Sequence, residues 1–365
     1  MCAGRGVRRG GTWLAAVCVA LPVAAGCRTP LRRSTGATPA AAHVARAWPE
    51  MGTMFVATAW ARIADTAAVL DALRAARDSV RLVDSLMSVF RPASELSRVN
   101  AAAGGPAVAV SAQTMRVLLL AREYWRLSGG AFDPTVGPLV AAWGFHGEQG
   151  RVPPAAEVDS LRGLVGYGAV ELDSIRHTVR LPRPGMQLDL GGIAKGYALD
   201  LARAALRGAP VRGGMLDLGG NVLVFGQPPA SEGQRWRIGV AHPRRDGRLL
   251  GVVELDSGAV ATSGDYEHFY VIGGVRYAHL IDPRSGRPAR GVMSATVVGP
   301  RGERSDGLSA ALYLAGLARG LALADSLPGV AAIYVVDCGG DDVRRGDVVL
   351  SARAREWFQL DAAVR

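Results

Sequence analysis

The sequence predicts an α+β fold with mixed or antiparallel sheets and flanking helices, and three observations predict it. Long helical stripes fill the first part of the chain, apolar spacing turns mostly to two from Val170 onward, and several of the strands so marked are neighbours joined as hairpins. Helices and strands are interspersed too irregularly for a doubly wound sheet. At 365 residues the chain has room for a substantial core.

Trp13 to Ala25 is an uncharged, mostly apolar run behind an Arg-bearing start, too short to span a bilayer and suited to a signal-peptide core. It ends in Val23-Ala24-Ala25-Gly26-Cys27, which resembles a bacterial lipoprotein cleavage site with Cys27 as the lipid-bearing residue. Residues 1–26 are therefore expected to be a leader, 27–48 a lipidated cysteine with a disordered Ala-, Pro-, Thr- and Arg-rich tether, and 49–365 the folded domain. Much of the net charge of +10 sits in front: seven arginines precede the first acidic residue, Glu50, so +3 remains for everything else. That leaves no nucleic-acid footprint. Cys2 and Cys18 leave with the leader and Cys27 would carry lipid, so Cys338 stands alone and no internal disulfide is expected. Such an anchor would hold a soluble domain at a membrane surface of the bacterial cell envelope, facing the periplasm or the outside.

A first strand is expected from Met51. Val69, Leu73, Ala76, Val80, Val83, Met87 and Phe90 then alternate steps of four and three, marking one long helix that Pro92 ends. Ser94 to Asn100 reads as a short polar helix over a cleft, and Ser111 caps a further helix that runs to Gly129-Gly130. Strands are expected at 170–172, 177–181, 236–241, 250–255, 270–272 and 294–298, then a helix from Asp306 to Ser326 and a closing hairpin across Cys338-Gly339-Gly340.

The stretch Leu188 to Asp200 organises the chain. It reads as a buried strand, Met186 to Leu190, that breaks at Gly191-Gly192 and re-enters as a helix carrying Ile193, Tyr197 and Leu201, until Gly208 and Pro210 stop it. A helix N-terminus behind glycines favours a phosphate. Lys195 is the only lysine among 42 basic residues, a compact ammonium in a chain that elsewhere uses Arg. The spacing is neither Gly-x-Gly-x-x-Gly nor a P-loop. Leu-Asp-Leu-Gly-Gly recurs at Leu216, as if two strand ends lined one edge of a site.

Four further segments, Gly130 to Gly137, Thr262 to Tyr266, His279 to Gly286 and Ser305 to Ala310, carry functional groups in turn-like settings. Singly each has a plain account: Asp-Pro and Ser-Gly are turn chemistry, Asp306 could cap its helix, and His279 could be a core or edge histidine. No set has zinc spacing, and no nucleophile elbow occurs. Carboxylates with backbone carbonyls near phosphate suit a hard cation such as Mg²⁺.

Together, and in this order, Met51-Gly52-Thr53, Ser94 to Asn100, Ala131 to Pro138, Asp189 to Asp200, Thr262 to Tyr266, His279 to Pro288 and Asp306 to Gly316 closely resemble the ApbE family, the FAD:protein FMN transferases. The resemblance implies a single two-lobed domain that moves the FMN half of FAD to a Thr or Ser hydroxyl of a target flavoprotein, with AMP leaving. It implies FAD contacts at Met51, Phe90, Ala131, Phe132, Asp133, Asp189, Lys195, Thr262 and Ile281, and Mg²⁺ at the Gly192 carbonyl, Asp306 and position 310. Phe90 stands where the family typically has Tyr, and Ala310 where it has Thr. His279 is the candidate base for the incoming hydroxyl, oriented by Asp282. Hydrolysis of FAD to FMN and AMP, or flavin carriage without chemistry, are the alternatives.

Overall fold

The structure, a computed structural model, describes residues 8–9, 41–147, 149–228, 234–338 and 343–364. Cys27, nearly all of the expected leader and the tether up to residue 40 lie outside the described residues. No helix among the described residues is long and apolar enough to cross a membrane.

An eight-stranded antiparallel sheet forms the centre: β1 (Ala41–Glu50), β2 (Thr53–Arg62), β3 (Gly213–Leu218), β4 (Asn221–Gly226), β5 (Gly258–Gly264), β6 (Val292–Gly299), β7 (Ala331–Val336) and β8 (Val348–Leu350). Its spatial order is the chain order, so each strand pairs with the one before it. Alternation gives the sheet two apolar faces. Phe55, Ala57, Leu216, Leu218 and Ala259 meet the helices Thr66–Met87, Ala112–Leu127, Ala194–Ala205 and Gly302–Ala315. Val222, Val224, Val260 and Ile333 meet a three-stranded sheet of Trp236–Ala241, Leu249–Leu255 and Phe358–Leu360. A third, smaller core of Leu139, Trp143, Phe145, Val158, Tyr270 and Ile281 makes the second lobe. The expected α+β, two-lobed architecture is what is found.

Four expectations about elements are corrected. Residues 41–48, placed in the disordered tether, form most of β1: Val44 is buried, Trp48 stacks on Phe55 at 5.9 Å, and Arg77 reaches Glu50 at 2.7 Å. Met186 to Leu190 is extended and largely buried but is no strand, having only one isolated bridge, Val136 to Gln187. The Asp306–Ser326 helix begins earlier, at Gly302, and is split at Gly316, whose φ of 77° no helix accommodates. The long helix ends at Met87, which leaves Phe90 off its buried stripe and 67% exposed.

Candidate active site

The Ala194 helix and the Gly302 helix touch backbone to backbone. A Cβ at Gly196 would stand 2.1 Å from the Gly302 carbonyl oxygen, and one at Gly302 would stand 2.3 Å from that of Gly196. Each helix also supplies a carboxylate to the other's N-terminus. Gly196 N–H donates to Asp306 at 2.7 Å, and Asp200 accepts from the N–H groups of Gly302 and Glu303, both at 2.9 Å. Burial raises the Asp306 carboxyl, against the downward pull of the Lys195 ammonium and the Gly196 N–H. Asn221, delivered by the second Leu-Asp-Leu-Gly-Gly, is buried and faces this carboxylate. Its Nδ2 has no partner of full hydrogen-bond geometry.

Asp189 is held from several sides. Asn100, from the short polar helix, binds both the N–H and the carbonyl of Leu188, at 2.7 and 2.9 Å, and Asp189 N–H donates to the Pro134 carbonyl. The carboxylate accepts from Gly191 N–H and meets His146 Nε2, each at 2.8 Å. Burial pushes its pKa up, but the His146 bond and charge outweigh that and leave it below the usual carboxylate range. The Phe90 ring stands edge-on to His146, 5.7 Å between centroids, so an exposed aromatic, an imidazole and a carboxylate line up.

Lys195 lies within electrostatic reach of His279 and Glu267 as well as Asp306. His279 donates its backbone N–H to the His268 carbonyl at 3.0 Å, and its ring Nδ1 lies 3.1 Å from the same oxygen. Burial, then the neighbouring His268, lowers its pKa to about 4.

The ApbE family model matches residues 51–334. The chain belongs to the ApbE family. It is similar to two proteins named FAD:protein FMN transferase. The one from Rhodobacter capsulatus is 41% identical over 61% of this chain, a match that spans 42% of that protein's length. The one from Vibrio cholerae is 36% identical over 67% of this chain and 73% of its own length. The crystal structure of the ApbE protein from Thermotoga maritima superposes with a TM-score of 0.77 and 31% identity, covering 87% of this chain and 99% of that one.

Against the positions implied by ApbE membership, the structure joins Lys195, His279 and Asp306, and separately Phe90 and Asp189. It also fits a cation at the metal positions. The Gly192 backbone adjoins Ala310, whose Cβ would lie 3.5 Å from a Cβ at Gly192, and Asp306 is one turn before Ala310. The donors there are oxygens, the Asp306 carboxylate and the Gly192 carbonyl, and only position 310 brings none. Among the described residues no three His, Cys, Asp or Glu side chains converge as ligands, so backbone oxygens must share in such a site.

Other roles change. Asp282 does not orient His279: its carboxylate takes the Arg284 guanidinium at 2.8 and 3.3 Å and the Arg284 N–H at 3.0 Å, while His279 turns to a main-chain carbonyl. Thr262 pairs its hydroxyl with Thr296 at 2.8 Å on the Val260 face of the sheet, whereas Ser263 faces the Gly302 helix and meets Ser309 at 2.9 Å. Both Asp133 oxygens are bonded within the protein, one to the Thr135 N–H and hydroxyl and the other to the Tyr167 N–H. Phe132 packs on Gly192, Ala131 is buried beside it in sequence, and Ile281 sits in the small core. Met51, with φ 52°, is the first turn residue of a two-residue hairpin between β1 and β2, completed by Gly52. His146, His268, Asn221 and Arg244 were not singled out by the sequence, and Ser263 was named there only as part of the Thr262 to Tyr266 segment.

Proposed function

We propose that this chain is an FAD:protein FMN transferase that uses Mg²⁺. The observation that carries the reading is Lys195, at the N-terminus of the Ala194 helix, within reach of both His279 and Asp306; family membership supports it. FAD enters as substrate, with its diphosphate at the Lys195 ammonium and the first turn of that helix. Phe90 and Asp189 bound the same substrate further along.

His279 is neutral at pH 7, and with Nδ1–H directed to the His268 carbonyl its Nε2 carries the free lone pair. A Thr or Ser hydroxyl of the acceptor passes its proton to that nitrogen while its oxygen bonds to the FMN phosphorus. The phosphorus–oxygen bond to the AMP phosphate breaks, and AMP leaves with the bridging oxygen. An anionic diphosphate beside the imidazole raises its pKa from this low value, toward what a base needs. Mg²⁺ would be held by Asp306 and the Gly192 carbonyl, with water where Ala310 brings no hydroxyl, and would neutralise charge on the diphosphate. The leader and Cys27 support export and lipid anchoring to the envelope membrane, within reach of flavoproteins on the same side.

Incubating the full chain with FAD, Mg²⁺ and a candidate acceptor tests this. Flavin that stays on the acceptor after denaturation, with AMP in equal amount, is expected. AMP and free FMN without an adduct would make the protein an FAD pyrophosphatase, and FAD recovered intact would remove the chemistry altogether.

A further inference from the structure

We propose that Arg244 is a positioning residue that fixes the tautomer of His279; this rests on His279 being the base. Arg244 follows the strand Trp236–Ala241, and its guanidinium grips Asp265 with both arms, Nη1 to Oδ1 at 2.6 Å and Nη2 to Oδ2 at 2.7 Å. Both side chains are only 13% exposed. Nη1 also donates to the Pro243 carbonyl at 3.1 Å, so the fork's direction is set from its own turn. Asp265 N–H donates to the Met293 carbonyl at 2.9 Å, which pins the residue from the β6 side.

From that pinned point three residues run into the site. Tyr266 packs its ring against Gly264, Glu267 comes within reach of Lys195, and the His268 carbonyl takes both the backbone and the ring of His279. Among the described residues the His279 ring has no other hydrogen bond. The placement of one carbonyl therefore decides which ring nitrogen carries the proton. That carbonyl is held on its C-terminal side by the hairpin of Phe269–Ile272 with Val275–Ala278, where Phe269 pairs with Ala278, and the Arg244–Asp265 pair anchors the segment on its N-terminal side. Stability alone is a poor reason for this ion pair, since desolvating two charges offsets most of their attraction. What a bidentate fork adds is direction. A loop released at Asp265 lets His279 adopt the Nε2–H form, which cannot accept a proton from the acceptor hydroxyl.

The test uses the full chain with ¹⁵N-labelled histidine, as wild type, Arg244→Met, Arg244→Lys and Asp265→Asn, without ligand. Long-range ¹⁵N–¹H spectra report the tautomer with no turnover, and kcat and KM for FAD are measured in parallel. Wild type should show His279 as Nδ1–H. Arg244→Met and Asp265→Asn should each give a tautomer mixture and a kcat lowered about 100-fold, with KM for FAD within about twofold. Arg244→Lys should restore part of both. Asp265→Asn is close to isosteric and carries the test should Arg244→Met fail to fold. A folded variant that keeps His279 entirely as Nδ1–H overturns the proposal, whatever its activity. Transfer that survives His279→Ala overturns the base and leaves the tautomer result standing, so the two failures are distinguishable.

Discussion

The Gly196 N–H points at the Asp306 carboxylate from 2.7 Å, and Asp200, one turn beyond Gly196, returns two such bonds to the start of the helix that carries Asp306. Two helix N-termini are thus capped by side chains from each other. The acid expected to hold the cation is fixed by the same helix end that carries Lys195.

That contact tolerates no side chain. Gly196→Ala would set a Cβ 2.1 Å from the Gly302 carbonyl and 2.5 Å from the Asp306 Cβ, with backbone on one side that cannot swing away. Thermal unfolding should show a loss of about 1–3 kcal/mol. Activity should fall further than the folded fraction, because Asp306 is displaced; an unchanged melting temperature would contradict the packing.

Asp306→Asn keeps an acceptor for Gly196 N–H and removes the charge. Mn²⁺ binding followed by electron paramagnetic resonance should weaken strongly while the fold persists. Ala310→Thr should act in the opposite sense and lower the Mg²⁺ concentration needed for half-maximal transfer. An equal or higher requirement would count against a missing oxygen at position 310.

Much of this was legible in the residues, and what was missed has physical reasons. The stripe from Val69 to Met87 is buried at every position named, because a long amphipathic helix writes its period into the side chains. The β1 segment reads as tether because its Ala-rich run has only Val44 and Trp48 as large apolar anchors. Met186 to Leu190 has the apolar content of a strand but obtains its backbone partners from the Asn100 side chain and the Pro134 carbonyl, which no periodicity reports. Lys195, His279 and Asp306 stood out by type and motif. The acceptor of the His279 ring is a main-chain oxygen, invisible in any residue name, and Asp282 was nearer in sequence but is held by Arg284.

Asp282→Asn should consequently leave the pH profile of transfer in place, with kcat changed only severalfold through the loosened 282–286 turn. A loss as deep as that of His279→Ala would restore Asp282 to the role of orienting the imidazole.

Asp217 gives a test of stability against pH. It is buried with one backbone bond, from Gly220 N–H at 2.8 Å, and burial pushes its pKa up to about 6. The folded state therefore binds this proton more tightly than the unfolded chain. Its contribution is most favourable below about pH 4, declines as pH rises through 6, and stays unfavourable above. Asp217→Asn, which still accepts from Gly220, should raise stability by on the order of 2 kcal/mol at pH 8 and change little at pH 4. A gain confined to acid pH would reverse the sign and refute the argument.

The most direct measurement is the intact mass of an acceptor protein after incubation with the full chain, FAD and Mg²⁺, using wild type beside His279→Ala. The account predicts an acceptor heavier by one FMN moiety with wild type and an unmodified acceptor with the variant, although the variant still binds FAD. The same adduct at the same rate from His279→Ala, or no adduct from wild type with any flavoprotein acceptor, would contradict it.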